Sequence, residues 1–255
     1  MKPHSYKRKI AEPWLRHISL AAETRPWART VLERSVGHPT LHEFSLLGPL
    51  HQNADDFLCS LLGERWTQQR DAIFAEHLLV QHAITERSRV VDLRYPAHFT
   101  VEDHTALVLY AIVRVLEPQV VVETGVADGR STATMLAAMN KTAVGALHSF
   151  EISRNVGALL ESHNRWTLHV LDRGQSITTA SSDIGHADVF LHDGDHSRAG
   201  QQADMVAARN LLGPTGLLLS DDTDWSYVFH DTCKELGLTP TFLLDTRKVF
   251  GAVWL

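Results

Sequence analysis

The chain has 255 residues, 44% hydrophobic and 21% charged, with a formal net charge of −6 at pH 7. That length fits one large α/β domain, or such a domain with an appendage, and the negative balance supplies no general field for a nucleic-acid backbone. The two cysteines, Cys59 and Cys233, exclude a disulfide scaffold and a cysteine-rich zinc module.

At the N-terminus, Lys2, Lys7, Arg8 and Lys9 are followed by Glu12, Pro13, Arg16 and His17 rather than by an apolar stretch, so no signal peptide is expected. The apolar runs are strand-sized, well short of the roughly 20 residues that span a bilayer. A cytoplasmic protein with neither a membrane nor a nucleic-acid partner is the expectation. The 16 histidines are scattered, and the pair His38 and His42 reads as surface.

Residues 1–118 read as a helical N-terminal extension or cap, with an oligomer contact through its helices as its other expected use. Helix-compatible apolar spacing covers Trp27 to Glu33, Asp55 to Leu62, Thr67 to Thr85 and Val101 to Leu116. Gly37, Pro39, Gly48, Pro49 and Gly63 punctuate them. Thr100 is placed as the cap of the last helix and Pro118 as its stop.

From 119 to 255, β-rich runs alternate with helical segments. The strands are Val120 to Thr124, Leu147 to Glu151, Thr167 to Leu171, Asp188 to His192, Gly216 to Ser220, Thr241 to Leu244 and Val249 to Leu255; the helices are Ser131 to Met139, Ser153 to Ser162, Arg198 to Leu212 and Ser226 to Leu236. Such alternation predicts a parallel sheet covered by helices, an α/β Rossmann-like fold of seven strands. Only Asp245, Thr246, Arg247 and Lys248 separate the last two strands, too few for a parallel crossover, so the sheet ends in an antiparallel hairpin.

The first strand runs into Glu123-Thr124-Gly125-Val126-Ala127-Asp128-Gly129-Arg130-Ser131-Thr132. Gly125 and Gly129 let backbone approach a ligand, and Ser131 is placed to cap a helix whose N-terminus faces an anionic group. Glu123 is placed either to bond a ligand amine or to order the loop. The spacing E-x-G-x-x-x-G departs from the dinucleotide fingerprint. About 20 residues on, the second strand ends in Glu151, where an acid accepts hydrogen bonds from ribose hydroxyls.

The pattern E-x-G-x-x-x-G-x-S-T, then an acid after the second strand, then a terminal hairpin, resembles the class I S-adenosylmethionine-dependent methyltransferases across residues 119–255. The resemblance implies S-adenosyl-L-methionine bound by Glu123, Thr124, Gly125, Gly129, Ser131, Glu151 and Asp172. Where similar enzymes show Gly-Asp-Ser, this chain has Leu171-Asp172-Arg173-Gly174-Gln175-Ser176. Asp172 is then the adenine-side contact, with Gln175, a backbone amide or a plain turn as the alternatives.

The fourth strand ends in His192-Asp193-Gly194-Asp195-His196 and the fifth in Ser220-Asp221-Asp222-Thr223. Both ends lie on the carboxyl edge of a parallel sheet, where ligands bind. Asp193, Asp221 and Asp222 crowd together there, and three such acids repel unless protonated or bridged by a cation; hard oxygen ligands suit Mg²⁺, with Ca²⁺ or Mn²⁺ as lesser options. The bland reading of these aspartates is that they cap the next helices. His192, Asp193 and His196 also spell a two-histidine, one-carboxylate iron set, which is more at home on an all-β barrel.

This pair of motifs resembles, more narrowly, the metal-dependent macrocin-type O-methyltransferases of natural-product sugars and, more distantly, catechol O-methyltransferase. It implies Mg²⁺ held by Asp193, Asp221 and Asp222. A cation on a substrate hydroxyl lowers its pKa and fixes it in line with the donor methyl. His196 is then the candidate general base, with Asp193 or Asp195 as alternatives. Arg94 to Phe99 is placed to fold over the donor, and Trp225 and Tyr227 to wall the acceptor site, with ordinary packing as the other reading of each. The expected function is Mg-assisted O-methylation of a small-molecule hydroxyl, with a metal-independent methyltransferase or a non-catalytic binding protein of the same fold as alternatives.

Overall fold

The computed structural model describes residues 38–172 and 175–255. The helix expected over Trp27 to Glu33, the basic residues Lys2 to Lys9, and Arg173 and Gly174 of the turn expected beside adenine lie outside the described residues.

The chain enters through a short helix α1 (Leu41–Leu47), where Thr40 accepts a hydrogen bond from the Glu43 amide and the Glu43 carboxylate accepts one from the Thr40 amide. This capping box is spelled in the sequence, yet the apolar periodicity is too short to announce the helix. Strand β1 (Leu50–His51) follows, then α2 (Ala54–Leu62), α3 (Glu64–Thr67) and the long α4 (Arg70–Ser88). The next helix, α5 (Asp103–Leu116), begins later than expected, with Glu102 rather than Thr100 at its cap position and no side-chain cap bond. Thr100 instead closes a 3-10 turn at Ala97–Phe99.

The remaining elements alternate: β2 (Val120–Thr124), α6 (Arg130–Thr142), β3 (Ala146–Glu151), β4 (Trp166–Val170), α7 (Ile177–Ala180), β5 (Ala187–His192), α8 (Arg198–Leu211), β6 (Leu212–Ser220), α9 (Val228–Leu236), β7 (Thr241–Leu244) and β8 (Val249–Trp254). Among the described residues they build one sheet in the order β1-β7-β8-β6-β5-β2-β3-β4. All pairs are parallel except those of β8, which runs antiparallel to both β6 and β7. The α/β Rossmann-like sheet with its terminal hairpin is therefore present, with eight strands instead of seven. The extra strand is β1, whose Leu50 and His51 pair with Phe242 and Leu243 at the edge.

Successive strand residues face opposite sides. Val121, Val189, Leu191, Leu217 and Leu219 join one apolar cluster with Leu109 and Ile112 of α5 and Met135 and Met139 of α6. Val122, Phe190, Leu218 and Phe242 join the other, with Met205 of α8 and Phe229 of α9. Burial on both faces explains why these strands read as continuous apolar runs. Phe57, Trp66 and Ile73, all from before residue 118, belong to the first cluster, so the N-terminal helices from α2 onward pack into the core of the sheet.

One expected helix is absent. Residues 153–162 form bends and turns, because the Gly157 amide donates to the Ala127 carbonyl (2.8 Å) and the Leu159 amide to the Asp128 carbonyl (2.9 Å). The segment is thereby wrapped on the loop after β2. No helix among the described residues is long and apolar enough to cross a membrane.

Candidate functional site

Strand β2 pairs with β3 on one side and β5 on the other, so the chain's connections diverge beyond the carboxyl ends of β2 and β5, where sheets of this kind place their ligand crevice. The loop after β2 lines one wall. Gly125 has φ +79, and a Cβ on it would lie 2.1 Å from the Asp193 carbonyl oxygen. Gly129 has φ +91, and a Cβ there would lie 2.9 Å from Leu160. Both positions need glycine for conformation and for closeness of approach.

Glu123 is fully buried beneath this loop. Its Oε1 accepts from Ser131 (2.5 Å), and its Oε2 accepts from Thr132 (2.8 Å) and Ser149 (2.6 Å). Burial pushes its carboxyl up to about 7 despite those three donors. Ser131 therefore spends its hydroxyl on Glu123, and α6 starts after Gly129 with no side-chain cap bond, which corrects the expected capping role. Thr124 also turns inward, donating to Asp204 of α8 (2.6 Å). Glu151 sits at the end of β3, where its two oxygens accept from the Val126 amide (3.1 Å) and the Ile152 amide (2.7 Å).

Asp128, not singled out in the sequence, accepts from the amides of Arg94 (3.0 Å) and Tyr95 (3.1 Å) and so fastens that segment to the loop. Asp172 is exposed, in a turn closed by its own amide donating to Gln175 Oε1 (3.0 Å) and the Gln175 amide donating back to its carbonyl (2.9 Å).

Across the crevice stand the acids. Asp193 follows β5 and donates its amide to the Thr124 carbonyl (3.0 Å), while Asp221 follows β6 and donates its amide to the His192 carbonyl (2.8 Å). Asp222 adopts φ +49, a left-handed conformation that Asp tolerates better than most residues and that turns the chain sharply. The structure brings Asp193 and Asp222 together with His196: one donor atom from each lies within 4.8 Å of the others. His196 Nε2 is 3.3 Å from Asp222 Oδ2 and 3.8 Å from Asp193 Oδ1. Asp221, a member of the expected trio, is not in this group. Its side chain turns under the site, where Oδ2 accepts from Lys248 at 2.9 Å and Oδ1 is buried without a hydrogen-bond partner.

Lys248 is the residue that sequence reading missed. Its Nζ lies 2.9 Å from Asp221 Oδ2 and 2.8 Å from Asp222 Oδ2, in a side chain only 10% exposed. The available signal was a lysine placed directly before a strand buried along all but its last residue. Burial works against its charge, but Asp221, Asp222 and Asp193 together drive its pKa well above the usual lysine value. Burial and the neighbouring acids Asp221 and Asp222 push Asp193 far up, burial raises Asp221, and Lys248 and His196 outweigh burial to hold Asp222 low. Burial lowers His196 to about 4, leaving a neutral imidazole at neutral pH.

The alternative base Asp195 is engaged in the turn before α8, accepting from the Ser197 amide and hydroxyl (2.9 Å each). His192 pairs through Nδ1 with Asp204 at 2.6 Å, below the site. Trp225 is half-exposed and donates its amide to the Asp222 carbonyl, whereas the Tyr227 hydroxyl donates to Glu43 of α1.

Residues 122–223, spanning the glycine loop to the acidic turn, match the family model of a methyltransferase domain. No curated protein matches the sequence. Among solved structures, a methyltransferase of Podospora anserina with bound S-adenosylhomocysteine superposes with a TM-score of 0.54 at 14% identity, over 68% of this chain and 88% of that one. A protein of Klebsiella pneumoniae assigned as an O-methyltransferase gives a TM-score of 0.54 at 18% identity, over 69% and 89%. The architecture is that of a class I methyltransferase. The matched segment carries both walls of the cleft beyond β2.

Proposed function

We propose that the protein transfers a methyl group from S-adenosylmethionine to a hydroxyl of a small molecule, with Asp193, His196 and Asp222 forming the acceptor side of the site. The observation that carries this reading is the contact between Gly125 and the Asp193 carbonyl, which sets the donor loop directly against the acidic turn. A methyl group carried at the loop would face those three side chains.

The reaction breaks the donor's sulfur–methyl bond and forms an oxygen–methyl bond, so the sulfonium leaves as a neutral thioether and the hydroxyl proton must be accepted. His196 is neutral, and its Nε2 lies beside Asp222 Oδ2, which would stabilise the imidazolium formed. The cluster also fits a divalent cation. It holds three carboxylates against one ammonium, and the buried Asp221 Oδ1 has no partner. Asp193, His196 and Asp222 would hold the ion, with His196 then a ligand in place of a base and the hydroxyl proton passing to solvent, and two carboxylates with one imidazole accept Mg²⁺ or Mn²⁺. When bound, it would lower the acceptor hydroxyl's pKa and neutralise developing charge.

The narrower resemblance to macrocin-type enzymes favours a sugar hydroxyl on a natural product as acceptor, and the half-exposed Trp225 beside Asp222 offers an apolar face to a ring. A second reading, metal-independent transfer, is favoured by Lys248, which already supplies a cation to Asp221 and Asp222. The test incubates the full chain with labelled S-adenosylmethionine and a panel of hydroxylated sugars and aromatics, with Mg²⁺ or with excess chelator. O-methylation lost in chelator supports the first reading, and equal turnover in chelator supports the second. Failure of S-adenosylhomocysteine to bind the folded protein in calorimetry would overturn both.

A further inference from the structure

Lys248 is delivered to the acidic cluster by a hairpin that is fastened on every side. Asp245, at the start of the turn, accepts from the Thr105 amide (2.8 Å) and hydroxyl (3.0 Å), and its own amide donates to the Lys248 carbonyl (3.0 Å). Arg247 binds Glu102 through its amide (2.9 Å) and Nε (2.6 Å), and the Val249 amide donates to Asp224 (3.0 Å). A surface lysine wanders; this one is aimed from a turn clamped to the N-terminus of α5.

Its target is shared with the candidate cation. Asp222 Oδ2 is 2.8 Å from Lys248 Nζ and 3.3 Å from His196 Nε2. That oxygen, or its partner on the same carboxylate, is what Asp222 would offer an ion seated with Asp193 and His196. A divalent cation there would stand a few ångströms from a buried ammonium, in surroundings that screen charge poorly.

We propose that Lys248 is a resident cation competing with divalent metal for Asp222, so that a metal seats fully only when the ammonium withdraws. The native chain then holds metal weakly and exchangeably, and Lys248 keeps the apo cluster folded by offsetting its negative charge. The competition rests on the cation site named above, but its test uses metal binding alone, so a failure to find methyl transfer leaves it standing.

Mn²⁺ binding to the full chain, followed by electron paramagnetic resonance, is compared between the native protein and Lys248→Met. The variant should bind one Mn²⁺ at least about tenfold more tightly, and the gain should vanish when Asp222→Asn is added. Equal affinities, or no Mn²⁺ bound by the folded variant, would overturn the proposal. Should Lys248→Met not fold, the native chain decides by the ¹H–¹⁵N signal of its protected lysine ammonium. Loss of that signal as Mg²⁺ is titrated supports the proposal, and an unmoved signal at saturating Mg²⁺ overturns it.

Discussion

On the proposed donor side of the crevice, Glu123 is fully buried yet accepts hydrogen bonds from Ser131, Thr132 and Ser149; on the proposed acceptor side, Asp221 is equally buried and leaves Oδ1 with no partner. The donor wall is closed upon itself by hydroxyls and backbone amides, with Asp128 tying in Arg94 and Tyr95. The acceptor wall is held by one lysine against three acids. Hydrogen bonds that satisfy a buried carboxylate fix a shape, whereas surplus buried charge calls for a further positive partner. The first arrangement suits a loop that must be preformed for its ligand, the second a place where charge is exchanged during work.

If the two walls are separable, Asp222→Asn should break one and spare the other. Asn tolerates the left-handed backbone at 222, so the turn survives while the carboxylate next to Lys248 and His196 is lost. Methyl-transfer kcat/KM should fall by at least about a hundredfold, with S-adenosylhomocysteine affinity in calorimetry unchanged. A parallel loss of affinity would show the walls to be one unit. Gly125→Ala should do the reverse to binding. The added methyl meets the Asp193 carbonyl at 2.1 Å, in a conformation that costs an L-residue roughly 1–2 kcal/mol even without the clash. S-adenosylhomocysteine affinity should drop by at least about tenfold, and Tm should fall with it.

Much of the backbone around the glycine loop is legible in the sequence because its signals are local. The strand-to-glycine run, the acid at the end of β3 and the short hairpin link are each written in consecutive residues, and binary patterning supplied the strands between them. What stayed hidden depends on contacts distant in sequence. Lys248 reaches Asp221 and Asp222 only once β8 has inserted between β6 and β7, and β1 finds its place only by pairing with β7. Residues 153–162 have helical composition, but their amides are drawn to the carbonyls of Ala127 and Asp128, which no local rule anticipates. Asp204 likewise looked like an ordinary helix residue until Thr124 and His192 closed on it.

The buried donor-side carboxylate should also be visible in stability. Glu123 is raised from 4.5 to about 7, mainly by burial, so the folded state holds its proton more tightly than the unfolded chain. Its effect is least below the unfolded value and grows as pH climbs toward about 7, so folding stability should decline across that window, by up to about 3 kcal/mol. Glu123→Gln removes the titration, and thermal denaturation from pH 4 to 8 should show a flatter profile for the variant. An unchanged slope would mean that the three hydroxyls fully compensate the burial.

The smallest effect is expected at Asp172, the one expected donor contact that is exposed and whose turn is closed by other groups. Because Gln175 Oε1 accepts from the Asp172 amide and the Gln175 amide donates to the Asp172 carbonyl, the aspartate's own carboxylate is not needed for the turn. Asp172→Ala should leave Tm within a degree or so, as surface changes usually stay within about 0.5 kcal/mol. If the carboxylate faces the adenine, S-adenosylhomocysteine affinity should fall by a few-fold, on the order of one hydrogen bond. Gln175→Ala attacks the turn instead and should loosen the backbone that frames the ligand. Affinity lost only in Gln175→Ala would assign the adenine-side contact to that backbone, and the donor wall would then owe its selectivity to main-chain geometry throughout.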